Sequence, residues 1–399
     1  MIANQAEFET TSSIMDDKKS RQTVKKYALA SFLNDLGSDM IYPVWPLFIT
    51  QHLGANMIVL GFVDGLGDAI VSISQAISGY LSDRLRKRKV FIWFGYVMGS
   101  ISRLGYAFSL VWQQAIAFRI LDRAGKIRSA PRDAAIADLS TKANRGGNFG
   151  LLRAMDNLGA TFGVLICILF FNSLGYKNLF LIAAIPSVIA VFLIFFGIKD
   201  DREFKNRAYK GISFSHFNRN LWMLFLLSAI FSLGFFSYSF LLMYAKKAGF
   251  ADYWIPILYL VFTATASVVS IPFGRLSDNI GRKKVMLISF LLWMVICLFF
   301  TQYTGFWSIL FLFVLYGIQK GALDPVQKTM VSELAPVELR ASTLGAFQMT
   351  IGLISLPSSL IAGILWDKIN PQLPFYFSAA TSLVAMIILF FTQESIQDN

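Results

Sequence analysis

"AISGYLSDRLRKRKVFIW", residues 76–93, sets five cations within six residues in the middle of an apolar sequence. The pattern returns as "SIPFGRLSDNIGRKKVML", residues 270–287; Gly79 and Gly274, like Asp83 and Asp278, lie 195 residues apart. A true duplication carries more than one motif in register. At the same interval Asp138 falls on Glu333, Arg145 on Arg340 and Gly150 on Gly345, so "ADLSTKANRGGNFG" and "SELAPVELRASTLG" hold equivalent places. The chain therefore reads as two parallel halves.

Composition sets the class. With 55% hydrophobic, 15% aromatic and 15% charged residues, the chain is oilier than a soluble globular protein, for which roughly 45–50% apolar and about 25% charged are usual. The mean hydropathy of +0.57 agrees. The apolar residues come in runs of about 20, the length at which a helix crosses a bilayer. They give twelve candidate spans: 27–49, 58–80, 90–110, 112–138, 146–172, 178–197, 220–245, 252–274, 285–304, 306–328, 340–364 and 373–393. The predicted fold is an all-α integral membrane protein, its twelve transmembrane helices in two pseudo-symmetric six-helix bundles, 27–197 and 220–393. Residues 1–26 lack the apolar core and cleavage site of a secretory signal and read as a disordered polar tail. The polar stretch 198–219 reads as the linker, and 394–399 as a second tail.

Short loops rich in Lys and Arg stay cytoplasmic. Of the 36 Lys and Arg, 24 fall in the amino-terminal tail and the loops after even-numbered spans, counting Lys328 and Arg340 with their loop. Four (Lys177, Lys246, Lys247, Lys368) fall in the other loops, and eight lie inside spans. Both termini are expected to be cytoplasmic. The same distribution accounts for the net charge of +12: basic loops facing anionic headgroups explain it without nucleic acid.

The two basic loops resemble the signature G-x-x-x-D-R-x-G-R-R/K of the major facilitator superfamily, and twelve spans in two repeated halves match that family over nearly the whole chain. Two positions depart from the signature: Arg86 stands where the first copy usually has glycine, and Asn279 where the second could have arginine. The resemblance implies that spans 1, 4, 7 and 10 line a central cavity. It also implies that each motif aspartate sits at the amino end of a helix in the opposite half, where bare N–H groups favour a carboxylate. Asp83 would face the start of span 11, near Glu338 to Ser342, and Asp278 the start of span 5. Gly79, Asp83, Arg84, Arg88, Asp138, Arg145, Gly274, Asp278, Glu333 and Arg340 are thus the candidate gating residues. The cations of the first loop would pair with carboxylates such as Asp138; the alternative is that they only hold orientation.

Charges inside spans are costly, so each is a functional candidate. Span 1 carries Asn34, Asp35 and Asp39, and span 2 carries Asp64 and Asp68; each aspartate pair is spaced four apart, on one helix face. Span 4 reads "FRILDRAGKIRSAPRDAAIAD", with Arg119, Asp122, Arg123, Lys126, Arg128, Arg132 and Asp133, while spans 3 and 5 add Arg103, Arg153 and Asp156. The positions 195 residues beyond the span 4 charges are mostly apolar, so the charge chemistry sits in the first half. At 1.5 Å per residue, Asp39 lies about 18 Å and Asp122 about 15 Å into their spans, near the midplane. Asp35, Asp39, Arg119, Asp122 and Arg123 are the leading cavity candidates, joined from the second half by Tyr238, Tyr316 and Gln319. A structural alternative is mutual neutralisation that staples spans 1, 2 and 4 together. Phe235, Phe236, Phe240, Tyr244, Lys320 and Asp324 would complete the second wall, or simply pack.

The strings "RILDR" and "SAPRDAAIAD" also resemble a subgroup of bacterial permeases in the superfamily, but with one residue fewer between Lys126 and Arg128. A one-residue deletion rotates the rest of a helix by about 100°, unless Pro131, which interrupts regular hydrogen bonding, absorbs it. Span 5, "NLGATFGVL", lacks the Gly-Pro pair of the superfamily's drug antiporters. "GLGDAI" and "GNFG" read as glycines for close helix packing.

His52 and His216 are too far apart for a metal cluster or proton relay, Cys167 and Cys297 read as packing residues, and no Walker loop appears. No enzyme, metal or cofactor is expected. The function read from the sequence is secondary active transport of a small molecule by alternating access, with a proton as coupling ion. Burial disfavours a charged carboxylate and favours its protonation, which makes Asp39 or Asp35 the candidate carrier. The leading substrate reading is proton-coupled efflux of an amphipathic drug or metabolite. The alternative is an anionic organic solute held by the arginines, and a remote alternative is a non-transporting receptor or scaffold. The expected surroundings are the lipid bilayer of the plasma membrane, and the expected state is a monomer.

Overall fold

The computed structural model describes residues 2–85, 87–141, 144–198, 218–335 and 339–392, and among these the side chains of all but 2–19, Asp83 and Ala341. The linker and the carboxyl-terminal tail therefore lie almost wholly outside the described residues, as does Arg86.

Every element among the described residues is helical, and twelve spans are present. Span 1 is the helix Ile2–Ile41, followed by a turn and two short pieces, Trp45–Leu47 and Phe48–His52; span 2 is Met57–Leu85 and span 3 Arg88–Ala107. Span 4 is Trp112–Ala124, a 3-10 turn Gly125–Arg128, and Ser129–Asp138. Spans 5 and 6 run as Arg145–Gly197, bent at Gly175, whose φ of 66° an L side chain rarely adopts. Span 7 is Arg219–Gly234 plus Tyr238–Lys247; spans 8 to 12 are Trp254–Ile280, Arg282–Gln302, Phe306–Leu334, Arg340–Lys368 and Leu373–Phe390. Eight of these helices, one of them holding spans 5 and 6, are long and apolar enough to cross a membrane. Spans 1, 3 and 4 fall short because they carry the polar and charged residues of the first half.

The structure corrects four expectations. Packed helix begins before residue 27: Val24 is buried, and Lys26 Nζ donates to the carbonyl of Gly197 at 2.7 Å, at the carboxyl end of span 6, where a cation is favoured. Span 1 is not continuous to 49, since Pro43 and Pro46 supply no N–H and the helix turns at 42–44. Span 7 breaks at Phe235–Ser237, where Ser237 caps the second piece by accepting from Ser239 N at 3.3 Å. Gly147 and Gly150 of "GNFG" have nothing within 4 Å of where a Cβ would stand, so close packing is not their reason.

By contact the chain divides into two units, residues 1–42, 74–109 and 117–207, and residues 43–73, 110–116 and 208–399. In the first, small residues let backbones touch: a Cβ on Gly159 would overlap the Phe32 carbonyl, and one on Gly163 would lie 2.5 Å from the Leu36 carbonyl and 3.1 Å from Asp39 Cβ. Gly163 of span 5 therefore sets how closely span 1 can bring Asp39. Overpacking costs about 1–3 kcal/mol, so Gly163→Val should lower the melting temperature of the purified protein by several degrees, whereas Gly147→Val should leave it unchanged. In the second unit the half of span 2 from Met57 to Ile73 lies along span 11. A Cβ on Gly61 would overlap the Ser359 carbonyl, one on Gly65 would lie 2.6 Å from Leu356 Cα, and one on Gly363 2.5 Å from the Met57 carbonyl.

Candidate functional site

In the first unit Asp35 and Asp39 of span 1 and Arg119, Asp122, Arg123 and Lys126 of span 4 form one buried to half-buried cluster. Span 4 puts Arg119, Asp122, Arg123 and Lys126 three or four apart, on one helix face. Arg119 and Asp122 are almost fully buried. Both arginines converge on Tyr42: the guanidinium carbon of Arg119 lies 5.4 Å and that of Arg123 4.8 Å from the ring centroid, and Arg123 Nη1 donates to Tyr42 Oη at 3.3 Å. An aromatic face attracts cations, so one tyrosine gathers two like charges that would otherwise repel. Asp39 lies three residues before Tyr42 on span 1, accepts from Ser38 Oγ at 3.4 Å, and feels the charges of Asp35 and Lys126. Asp35 accepts from Asn34 Nδ2 at 2.9 Å. Asp122 faces the field of Arg123, Arg103, Arg119 and Lys126.

Arg103 has a different place. Fully buried, it donates to Ser187 of span 6 and, through Nη2 at 3.1 Å, to Asn34 Oδ1, binding spans 1, 3 and 6. A second network ties spans 1, 4 and 5: Arg132 donates to Ser31 and pairs with Asp133 at 3.1 Å and Asp156 at 3.5 Å, and Arg153 bridges the same two aspartates. Arg128 lies over the Tyr96 ring at 5.2 Å and donates to the Gly125 carbonyl at 2.8 Å. The 3-10 turn at Gly125–Arg128 advances about 120° per residue instead of about 100°, so it turns Ser129–Asp138 further round than a continuous α-helix would.

In the second unit Tyr316, Trp293, Phe235 and Phe262 form an aromatic group, with Tyr316 at 4.8 Å from Phe262 and 5.4 Å from Trp293. Lys320 Nζ lies 5.7 Å from the Phe235 ring and pairs with Asp324 at 3.2 Å. Tyr238 packs on Tyr259 at 5.2 Å. Gln319 is turned to span 9, where its Nε2 donates to Ser289 Oγ at 3.2 Å, and Phe236, Phe240 and Tyr244 pack among Trp366 and Phe375.

At the motif loops Arg88 pairs with Asp138, and in the second half Arg282 pairs with Asp278 and, at 3.0 Å, with Glu333. Arg282 was missed as a site residue; its signal was its place in the second basic run. Arg84 reaches Tyr80 Oη at 3.3 Å, Gly79 would set a Cβ 3.5 Å from Ala130 Cβ, and Gly274 has open space. Arg145 and Arg340 open the helices of spans 5 and 11. Gly281, the glycine of the second motif, adopts φ 99°; its counterpart is Arg86. The Asp83 side chain and residues 336–338 lie outside the described residues, and with them the contact expected between Asp83 and span 11. Tyr42 was also missed, although its spacing from Asp39 places both on one face. Among the described residues no group of His, Cys, Asp and Glu is arranged to hold a metal.

Twelve helical spans, an internal repeat and a buried charge cluster within the membrane define a polytopic membrane protein of the transporter type. The family model described as Major Facilitator Superfamily matches residues 27–268 and 254–398, and the chain belongs to that family. It is 36% identical to an uncharacterized MFS-type transporter of Methanocaldococcus jannaschii, over 98% of this chain and 100% of the relative. It is 25% identical to multidrug resistance protein MdtH of Photorhabdus laumondii, over 89% and 90%. Among solved structures, the nucleoside transporter NupG superposes with a TM-score of 0.76 at 16% identity, covering 92% of this chain and 98% of that one.

Proposed function

We propose that the protein is a proton-coupled secondary transporter, working by alternating access, for an organic solute that carries an acidic group. The observation behind this reading is the pair of guanidinium groups of Arg119 and Arg123 held 5.4 Å and 4.8 Å from the ring centroid of Tyr42. Arginine forks match carboxylate and phosphate geometry, and two of them gathered at midplane depth serve an anion better than they serve packing. The coupling follows from charge. Arg119, Arg123 and Lys126 stand against Asp35, Asp39 and Asp122, with Arg103 beside them; a proton on Asp39 adds one positive charge to the cluster, which an anionic solute neutralises. Proton and anion then enter the same state and cross together. The proposed orientation has both termini in the cytoplasm of a cell whose plasma membrane holds the protein.

The relative named as a multidrug resistance protein favours a second reading, efflux of an amphipathic compound. For a cationic drug the same charge logic reverses: the proton on Asp39 repels the solute, and the two exchange. Thermal stabilisation of the purified protein separates the readings. Organic acids should raise the melting temperature of the wild type and not of Arg119→Ala/Arg123→Ala; stabilisation by cationic amphiphiles alone would favour the second.

A further inference from the structure

Asp64 of span 2 is buried, yet belongs to neither the charge cluster nor the motif loops. Its Oδ1 accepts from Trp45 Nε1 at 2.9 Å, and its Oδ2 from Ser237 Oγ at 2.7 Å and from Ser239 Oγ. The three donors sit at two helix breaks: Trp45 follows the turn at 42–44 in span 1, and Ser237 and Ser239 open the second piece of span 7. With the interval of 195, the positions 42–44 of span 1 fall on 237–239 of span 7, two residues on from the break at Phe235–Ser237, so Asp64 ties together breaks that lie close to equivalent places in the two repeats. The tie is one-sided, because the residue 195 positions beyond Asp64 is Tyr259, which meets Tyr238 through its ring. Four residues on, Asp68 accepts from Ser355 Oγ of span 11 at 2.9 Å, and the glycine-lined contact of spans 2 and 11 flanks both aspartates.

We propose that Asp64 is the positioning residue that latches the end of the transporter remote from the termini: it holds span 2, from the first repeat, onto span 7, from the second. This rests on the alternating-access reading, under which spans 1 and 2 must part from spans 7 and 11 at that end. The bond to Trp45 joins two spans of one repeat and survives the parting, whereas the bonds from Ser237 and Ser239 are lost. A carboxylate suits the task because a bond to a charged acceptor is strong and, once solvated, is replaced by water at small net cost.

The test uses the full chain in lipid nanodiscs with a reporter cysteine at Ala362, a buried position on span 11, and reads its labelling rate with a charged maleimide. Cys167 and Cys297 are buried, and the rate without the reporter is subtracted. Ser239→Ala, which leaves the Ser237 cap in place, should speed labelling about tenfold, as expected from loss of one hydrogen bond to a charged group, and adding Ser237→Ala should speed it further. Trp45→Phe should change it by less than about threefold, since that bond does not cross the parting surface. Equal acceleration by Trp45→Phe and the serine variants, or none by the serine variants, would overturn the latch and leave Asp64 a general packing residue. The labelling needs neither solute nor proton, so it stands or falls apart from any failure to find transport.

Discussion

Asp39→Asn should abolish solute-driven proton movement in proteoliposomes while keeping solute exchange. Asparagine keeps the shape and the bond from Ser38 but cannot ionise, so the variant resembles a carrier permanently holding its proton. Solute loaded on both sides should then still exchange at a rate within about tenfold of the wild type, while net proton flux falls to the lipid background, a loss of at least about a hundredfold. Asp39 is singled out over Asp35 by place: it lies one turn from Tyr42 and against the Gly163 backbone of span 5. The same substitution at Asp35, which is held by Asn34, should reduce turnover less. Equal proton flux in Asp39→Asn and wild type would remove Asp39 from the role.

Arg123→Lys should lose almost as much anion transport as Arg123→Ala. A lysine keeps the charge but not the planar fork that lies over Tyr42 and donates to its hydroxyl, and at stacked or bidentate sites the exchange is not conservative. Truncating one member of a buried charged pair or anion site costs about 2–5 kcal/mol, so uptake of an organic acid at subsaturating concentration should fall at least about thirtyfold in either variant. Tyr42→Leu should weaken transport as well, because both guanidinium groups lose the ring that gathers them. A lysine variant with wild-type uptake would mean that charge alone suffices and that the stacked geometry is incidental.

The spans were legible because a bilayer demands about 20 apolar residues in succession, and the repeat because five pairs of motif residues share one interval. The breaks were less so. Pro43 and Pro46 announce the turn in span 1, but span 7 has no proline, and its break goes with what Ser237 and Ser239 bind, a carboxylate 173 and 175 residues away in sequence. The charge cluster was visible as residue types and not as partners: Arg103 and Arg119 are equally rare inside a span, yet one joins Asn34 and Ser187 and the other lies at Tyr42. Tyr42 itself is one tyrosine of 14, and nothing in its local sequence marks it beyond the spacing from Asp39. Gln319, a buried polar residue at the right depth, was read toward a cavity and is bonded to Ser289, since a helix position fixes depth more tightly than it fixes which neighbour a side chain meets.

The most direct measurement is the sign of the pH change inside proteoliposomes, followed with a trapped dye, when an organic acid that stabilises the protein is added outside. Anion and proton crossing together should acidify the interior in the wild type, with no change in Asp39→Asn. Solute entry with an alkaline shift, or with no shift at all, would contradict cotransport of an anion with a proton through the cluster around Tyr42.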